Sequence, residues 1–249
     1  MVKGKKTFGK FHPAVIAVYA AILAASALLP SIPLVGTGGS FSISTALVPL
    51  AGIFFGPIAG ALCAAIGGFI GQLIAPSTAV IGVATFVSAV IAAFVAGLLC
   101  EQKKWGPLSA IGVGALFIGL WFTHPVGRES WRLALVFFGS GVLACIIGFF
   151  VCNSWLKKNS FVLKAIAVFI ACYAGMVFSA AFVDYVCLYL YGLTSEVWNV
   201  LVFVSPLERA IFSVGSLIVG TPLLIGLPKI GIFVGPKDDT LDTELEIEE

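Results

Sequence analysis

Residues 46–76, ALVPLAGIFFGPIAGALCAAIGGFIGQLIAP, carry no charge, and Gln72 is their one polar side chain. Small residues recur every four positions at Gly56, Gly60, Ala64 and Gly68, and Gly67 and Gly71 repeat the step. On a helix that spacing makes a smooth ridge, against which another backbone can lie closely. Gly56–Pro57 interrupts the ridge, because proline has no N–H to donate and glycine tolerates a turn. The pattern predicts a short helix, a tight break and a longer helix packed against its neighbours. An ordinary buried hairpin would satisfy the same pattern.

Hydrophobic residues make up 60% of the 249-residue chain and charged residues 10%. A water-facing globule carries about 25% charged residues, so this chain lacks the polar surface to cover itself. It reads as an integral membrane protein whose surroundings are a lipid bilayer. The six cysteines lie in or beside apolar spans without CxxC or other metal-ligand spacing, and read as small buried hydrophobes. The first apolar run is long and lacks a small-residue cleavage site, which argues against a cleavable signal peptide. GKKTFGKF (4–11) nearly spells a phosphate-binding loop, but it ends in Phe11 and precedes a membrane helix, so its lysines read as a cytoplasmic anchor. His12 and His124 sit at membrane edges, and HExxH and GxSxG are absent. No enzyme, cofactor, metal or nucleic-acid partner is expected.

The fold class expected is all-α: a polytopic membrane bundle of six to eight helices with both termini cytoplasmic. The regions are a basic stretch at 1–12, a helical domain at 13–228 and an acidic tail at 229–249 whose composition predicts disorder. Helices are expected at 13–33, 45–55, 57–75, 80–100, 108–123, 132–154, 163–191 and 206–228. The segment 45–55 is too short to cross a hydrocarbon core, which needs about 20 residues. Charge sets the orientation. If 46–76 makes an even number of crossings, all eleven lysines fall on the cytoplasmic side, leaving Arg128 and Arg132 outside and Arg209 near the outer surface. The Gly/Ser-rich loop 34–44 reads either as a lid over a ligand or as a plain connection.

Leu47-Val48-Pro49-Leu50-Ala51-Gly52, Gly56-Pro57-Ile58-Ala59-Gly60-Ala61 and Ala65-Ile66-Gly67, with 208–228 as a last helix, resemble the S component of energy-coupling factor (ECF) transporters. The resemblance covers about half the chain. It departs from the family in lacking an Asp at Gly68 or Phe69 and in a helix pair beyond the usual six, at helices 5 and 6. It implies a multi-pass subunit of a prokaryotic cell membrane that captures a vitamin or related micronutrient. Such a subunit works with a transmembrane coupling subunit and two ATP-hydrolysing subunits, and topples in the membrane during turnover. It also implies that a small-residue face (Ala17, Ala21 and Ala25, with Gly60 and Ala64) docks on the coupling subunit. Packing within the chain would explain the alanines equally well.

Polar residues gather at the outer ends of the last two helices. Asp184 lies inside an apolar helix, where an acid costs several kcal/mol unless paired or solvated. Tyr185, Trp198, Asn199, Glu208 and Arg209 lie close by in the chain, and Phe41 and Ser42 lie in the possible lid. Two readings stay open: an Asp184–Arg209 pair clamping two helices, or a ligand pocket built from these eight residues. Acidic and aromatic groups together hint at a cationic heterocycle, such as a thiamin-like compound. A self-sufficient secondary transporter or channel is the competing function. It calls for paired broken helices in two related halves and a central ionisable relay, and the sequence offers only one interrupted unit.

Overall fold

The computed structural model describes residues 13–29, 31–33, 40–232 and 234–236. Its helices are α1 (Pro13–Ser26), α2 (Val48–Ile74), α3 (Thr85–Cys100), α4 (Trp105–Trp121) and the short α5 (Pro125–Glu129). Next, α6 (Trp131–Leu133) runs through a π-helical turn at Ala134–Phe138 into α7 (Gly139–Lys157) as one apolar span. The last two helices are α8 (Phe161–Leu190) and α9 (Ser195–Gly226). Among the described residues, five stretches are long and apolar enough to cross a membrane. The all-helical membrane bundle expected from composition is what the chain builds, with one small addition. Strands β1 (Ser31–Pro33) and β2 (Ser40–Ser42) pair antiparallel, Ile32 opposite Phe41. Large apolar side chains such as Ile58, Phe150 and Phe203 face outward, 71–80% exposed, as a lipid-facing surface requires.

The unit at 46–76 folds back on itself. Gly56 adopts φ 81°, ψ 177°, a conformation open to glycine and strained for other residues. Pro57 follows it and leaves the Ile53 carbonyl without a helical donor. The arms 48–55 and 57–74 then lie side by side. A Cβ placed on Gly60 would meet the Ala51 carbonyl oxygen and the Gly52 Cα at 2.5 Å. At 1.5 Å per residue the first arm is about 12 Å long, half a crossing.

Contacts along the arms set the direction of each helix. The Cys63 thiol donates to the Ile16 carbonyl, Gly67 packs on Ala20 and Gly71 on Ala24 and Ala27, so α1 and the second arm run parallel. Gly68 packs on Ala89 and Gly97 on Pro57, so α3 runs antiparallel to the second arm. The first arm follows the far end of α9. Ser216 Oγ donates to the Ala46 carbonyl at 2.6 Å, Gly220 packs on Leu50, and the Gly235 N–H donates to the Phe54 carbonyl at 2.9 Å. The start of α1, the Gly56 turn and the end of α3 therefore share one end of the bundle. With short connections alternating the remaining helices, Lys103, Lys104, Lys157, Lys158, Lys164 and Lys229 share that end, and Arg128 and Arg132 lie at the other. The even crossing count at 46–76 follows from this geometry.

Two helix boundaries differ most from expectation, while α3 begins five residues late, at Thr85. Helix α1 stops at Ser26, not near 33: Ala27, Leu28 and Leu29 tighten into bonds to carbonyls three residues back, and the following LLPSIP holds two prolines. Helix α9 starts at Ser195, eleven residues before 206, and carries Pro206 in its interior. Pro206 removes one backbone bond, a loss that neighbouring helices tolerate in a membrane bundle. The basic stretch 1–12 and the acidic residues from 237 onward lie outside the described residues. If the lysine end is cytoplasmic, a membrane-impermeant thiol reagent added outside should label Arg128→Cys and leave Lys103→Cys and Lys158→Cys unlabelled. External labelling at 103 would invert the orientation.

Candidate ligand-binding site

A cavity of about 160 Å³ opens between α2, α3, α8 and α9. Its walls run from the middle of the bundle, at Met176 and Arg209, toward the arginine-bearing end. The second arm of α2 contributes Gly67, Gly68, Gly71 and Gln72; α3 and the turn before it contribute Thr78, Thr85 and Ser88. Helix α8 adds Met176, Ser179 and Asp184, and α9 adds Trp198, Ser205, Glu208 and Arg209. Ser44, Thr45 and Val48, where the first arm of α2 enters the bundle, also line it. The Gly56 hairpin is what makes room here. Because the first arm occupies only the lysine half, the opposite half of the bundle is left hollow above it.

Local packing fixes the lining residues. Trp198 is 1% exposed, and its ring meets Trp121 edge-on at 5.1 Å; Trp121 in turn meets Phe138 at 5.4 Å. Arg209 is 6% exposed, on the helical turn that also carries Ser213, whose hydroxyl donates to the Arg209 carbonyl at 2.7 Å. The Tyr191 hydroxyl donates to the Val80 carbonyl and ties the end of α8 to the connection before α3. Two buried atoms on lining residues, Gln72 Oε1 and Trp198 Nε1, have no hydrogen-bond partner. Leaving a buried polar group unpaired costs about 1–3 kcal/mol, which a ligand or water can recover. Among the described residues no group of His, Cys, Asp and Glu has the arrangement of a metal site.

Of the residues singled out from sequence, Asp184, Trp198, Glu208 and Arg209 come together on this cavity. Tyr185 and Asn199 do not. Tyr185 packs edge-on to Tyr189 at 5.4 Å, and Tyr189 meets His124 at 4.9 Å, in a cluster away from the cavity; Asn199 is exposed on α9 beside the inward Trp198. Phe41 and Ser42 form β2, and their side chains lie outside the described residues. Within the small-residue set, Ala17, Ala21 and Ala25 face outward, while Ala20 and Ala24 pack on α2. Gly60 and Ala64 instead lie in the interior, since the folded-back first arm and α3 cover that ridge, so the structure leaves them no surface for a partner. Sequence reasoning passed over Gln72, Ser44, Thr45, Ser88, Ser179 and Ser205. Gln72 had a signal, as the one polar side chain in 46–76. The hydroxyls had none, because serine and threonine in membrane helices commonly bond their own backbone, as Ser88 does to the Thr85 carbonyl at 2.7 Å.

Residues 12–122 match the family model described as the S component of ECF-type riboflavin transporters. That match spans somewhat less than half of the chain. No curated protein and no solved structure gave a match. The S-component match takes in α1 through α4, hence the hairpin, the outward alanine face and the α2 and α3 walls of the cavity. Asp184, Trp198, Glu208 and Arg209 lie beyond it, so the charged half of the cavity is contributed by the part of the chain outside the S-component match.

Proposed function

We propose that the chain captures a vitamin-sized heteroaromatic compound, riboflavin first among the candidates, in the cavity at its arginine-bearing end. That end faces outside, and partner subunits drive uptake. The observation that carries this reading is the cavity itself. Its walls join the S-component half of the chain to Asp184, Trp198, Glu208 and Arg209, and two of its lining residues hold buried polar atoms without partners. Trp198 offers an aromatic face, and the hydroxyls, Gln72 and the charged groups offer oriented polar contacts, the mixture that small-molecule sites use. The test is a fluorescence titration of the purified protein with riboflavin. Saturable quenching below about 1 μM, an affinity of roughly 8 kcal/mol, supports the proposal. No quenching up to solubility overturns riboflavin as the ligand.

The coupling partners enter through α1. Ala17, Ala21 and Ala25 present a small-residue face to the outside, where another helix backbone can approach. The proposed partners are a transmembrane coupling subunit and two ATPase subunits in a prokaryotic plasma membrane. Replacing Ala21 and Ala25 with Trp should hold such a helix away at a cost of about 1–3 kcal/mol. Co-purification with coupling subunits should fall while riboflavin binding by the isolated protein stays unchanged. Full transport by the double Trp variant would remove α1 from the docking surface.

A further inference from the structure

We propose that the cavity is a charge filter: it admits uncharged or cationic heteroaromatic ligands, rejects anions, and owes that sign to Glu208. The inference rests on the cavity being the ligand site, and it adds which members of a ligand class can enter. Three charged side chains line the walls, Asp184, Glu208 and Arg209, and among the described residues no lysine or histidine joins them. Residues 34–39, LVGTGG, carry no charged side chain. Two carboxylates thus stand against one guanidinium. With one acid balancing Arg209, the other is in excess.

Glu208 is the acid that best fits this role. It is half-buried, whereas the adjacent Arg209 is buried, and both line the cavity from α9. In a narrow cavity with apolar walls, an uncompensated charge is felt more strongly than in bulk water. An anion entering here would leave its hydration shell for a wall of its own sign. One feature opposes this: the N-terminus of α3 at Thr85 lines the same cavity. A helix end is worth about half a charge, less than one full carboxylate. The remaining polar lining, Gln72 and the hydroxyls, is neutral and suits an uncharged ligand.

The filter can be read without knowing the ligand. In a Cys187→Ala background, which removes the native cysteine lining the cavity, a reporter thiol is placed in the cavity as Ser88→Cys. A reference thiol is placed on the exposed surface as Thr194→Cys. Rates of modification by a cationic (trimethylammonium) and an anionic (sulfonate) methanethiosulfonate are compared in neutral detergent. The cation-to-anion ratio at Ser88→Cys should exceed that at Thr194→Cys by about tenfold or more at low salt, and Glu208→Gln should reduce it about threefold or more. Raising the ionic strength from about 0.01 M to about 1 M in the Ser88→Cys protein should reduce the ratio in the same direction, a reading that does not depend on Glu208→Gln folding. Equal ratios at the two positions, or a cavity ratio unmoved by Glu208→Gln and by salt, overturn the filter. Failure of riboflavin to bind would remove that ligand and leave these ratios unchanged, so the two proposals fail separately.

Discussion

Gly52→Ala should be more damaging than any ordinary core overpacking in this chain. A Cβ at Gly52 would sit 1.8 Å from the Ala93 carbonyl oxygen and 2.8 Å from the Gly97 backbone nitrogen. Overpacking between side chains costs about 1–3 kcal/mol because rotamers and side chains can give way. Here the obstacle is backbone, so α2 and α3 themselves must separate. Their separation would also pull Gly97 off the Pro57 turn, where its own Cβ would meet backbone at 2.6 Å. The measurement is thermal unfolding in detergent, followed by tryptophan fluorescence. Gly112→Ala is the control, since nothing lies within 4 Å of a Cβ there, and on helix propensity it should be neutral or stabilising by up to about 1 kcal/mol. If Gly52→Ala melts with Gly112→Ala, the close approach of the hairpin to α3 is not what holds this fold together.

Asp184→Asn and Arg209→Met should each yield a folded protein that has lost ligand affinity, and the double variant should not regain it. Both residues line a cavity rather than a sealed core, so removing one leaves the other in contact with water or ligand. A lost hydrogen bond to a charged group is worth about 1.5–3 kcal/mol, roughly ten- to hundredfold in affinity. A clamp between two helices would behave differently. Breaking a buried pair costs about 3–5 kcal/mol, and removing both partners recovers most of it. Unfolding midpoints and riboflavin titrations on the three variants separate the cases. Restored stability together with full binding in the double variant would make the two residues a clamp and move the ligand contacts elsewhere.

Much of this arrangement was legible before any fold was in hand. Scarcity of charge forces a membrane bundle, and lysines confined to alternate loops demand an even number of crossings at 46–76. The four-residue spacing of small residues around Gly56 forecasts the hairpin, whose Gly60 does lie on Ala51 and Gly52. Asp184, Glu208 and Arg209 were visible as charges too costly to leave against lipid.

Orientation around each helix axis was not legible, and the reason is the solvent. A helix in water advertises its buried face by polarity, whereas one in lipid is apolar on both faces. Nothing in the run from Ala17 to Ala25 says that Ala20 and Ala24 meet α2 while Ala17, Ala21 and Ala25 look outward. Nothing near position 198 says that Trp198 turns into the cavity and Asn199 away from it, particularly where Pro206 seemed to mark a helix start that lies at Ser195. Gln72 was conspicuous in sequence, but only the return of α2 against α3, α8 and α9 made it a wall of a cavity. Composition and spacing determined that this chain spans a bilayer and doubles back at Gly56. Which side chains share the hollow left by that turn was decided by backbone-to-backbone packing between helices distant in sequence.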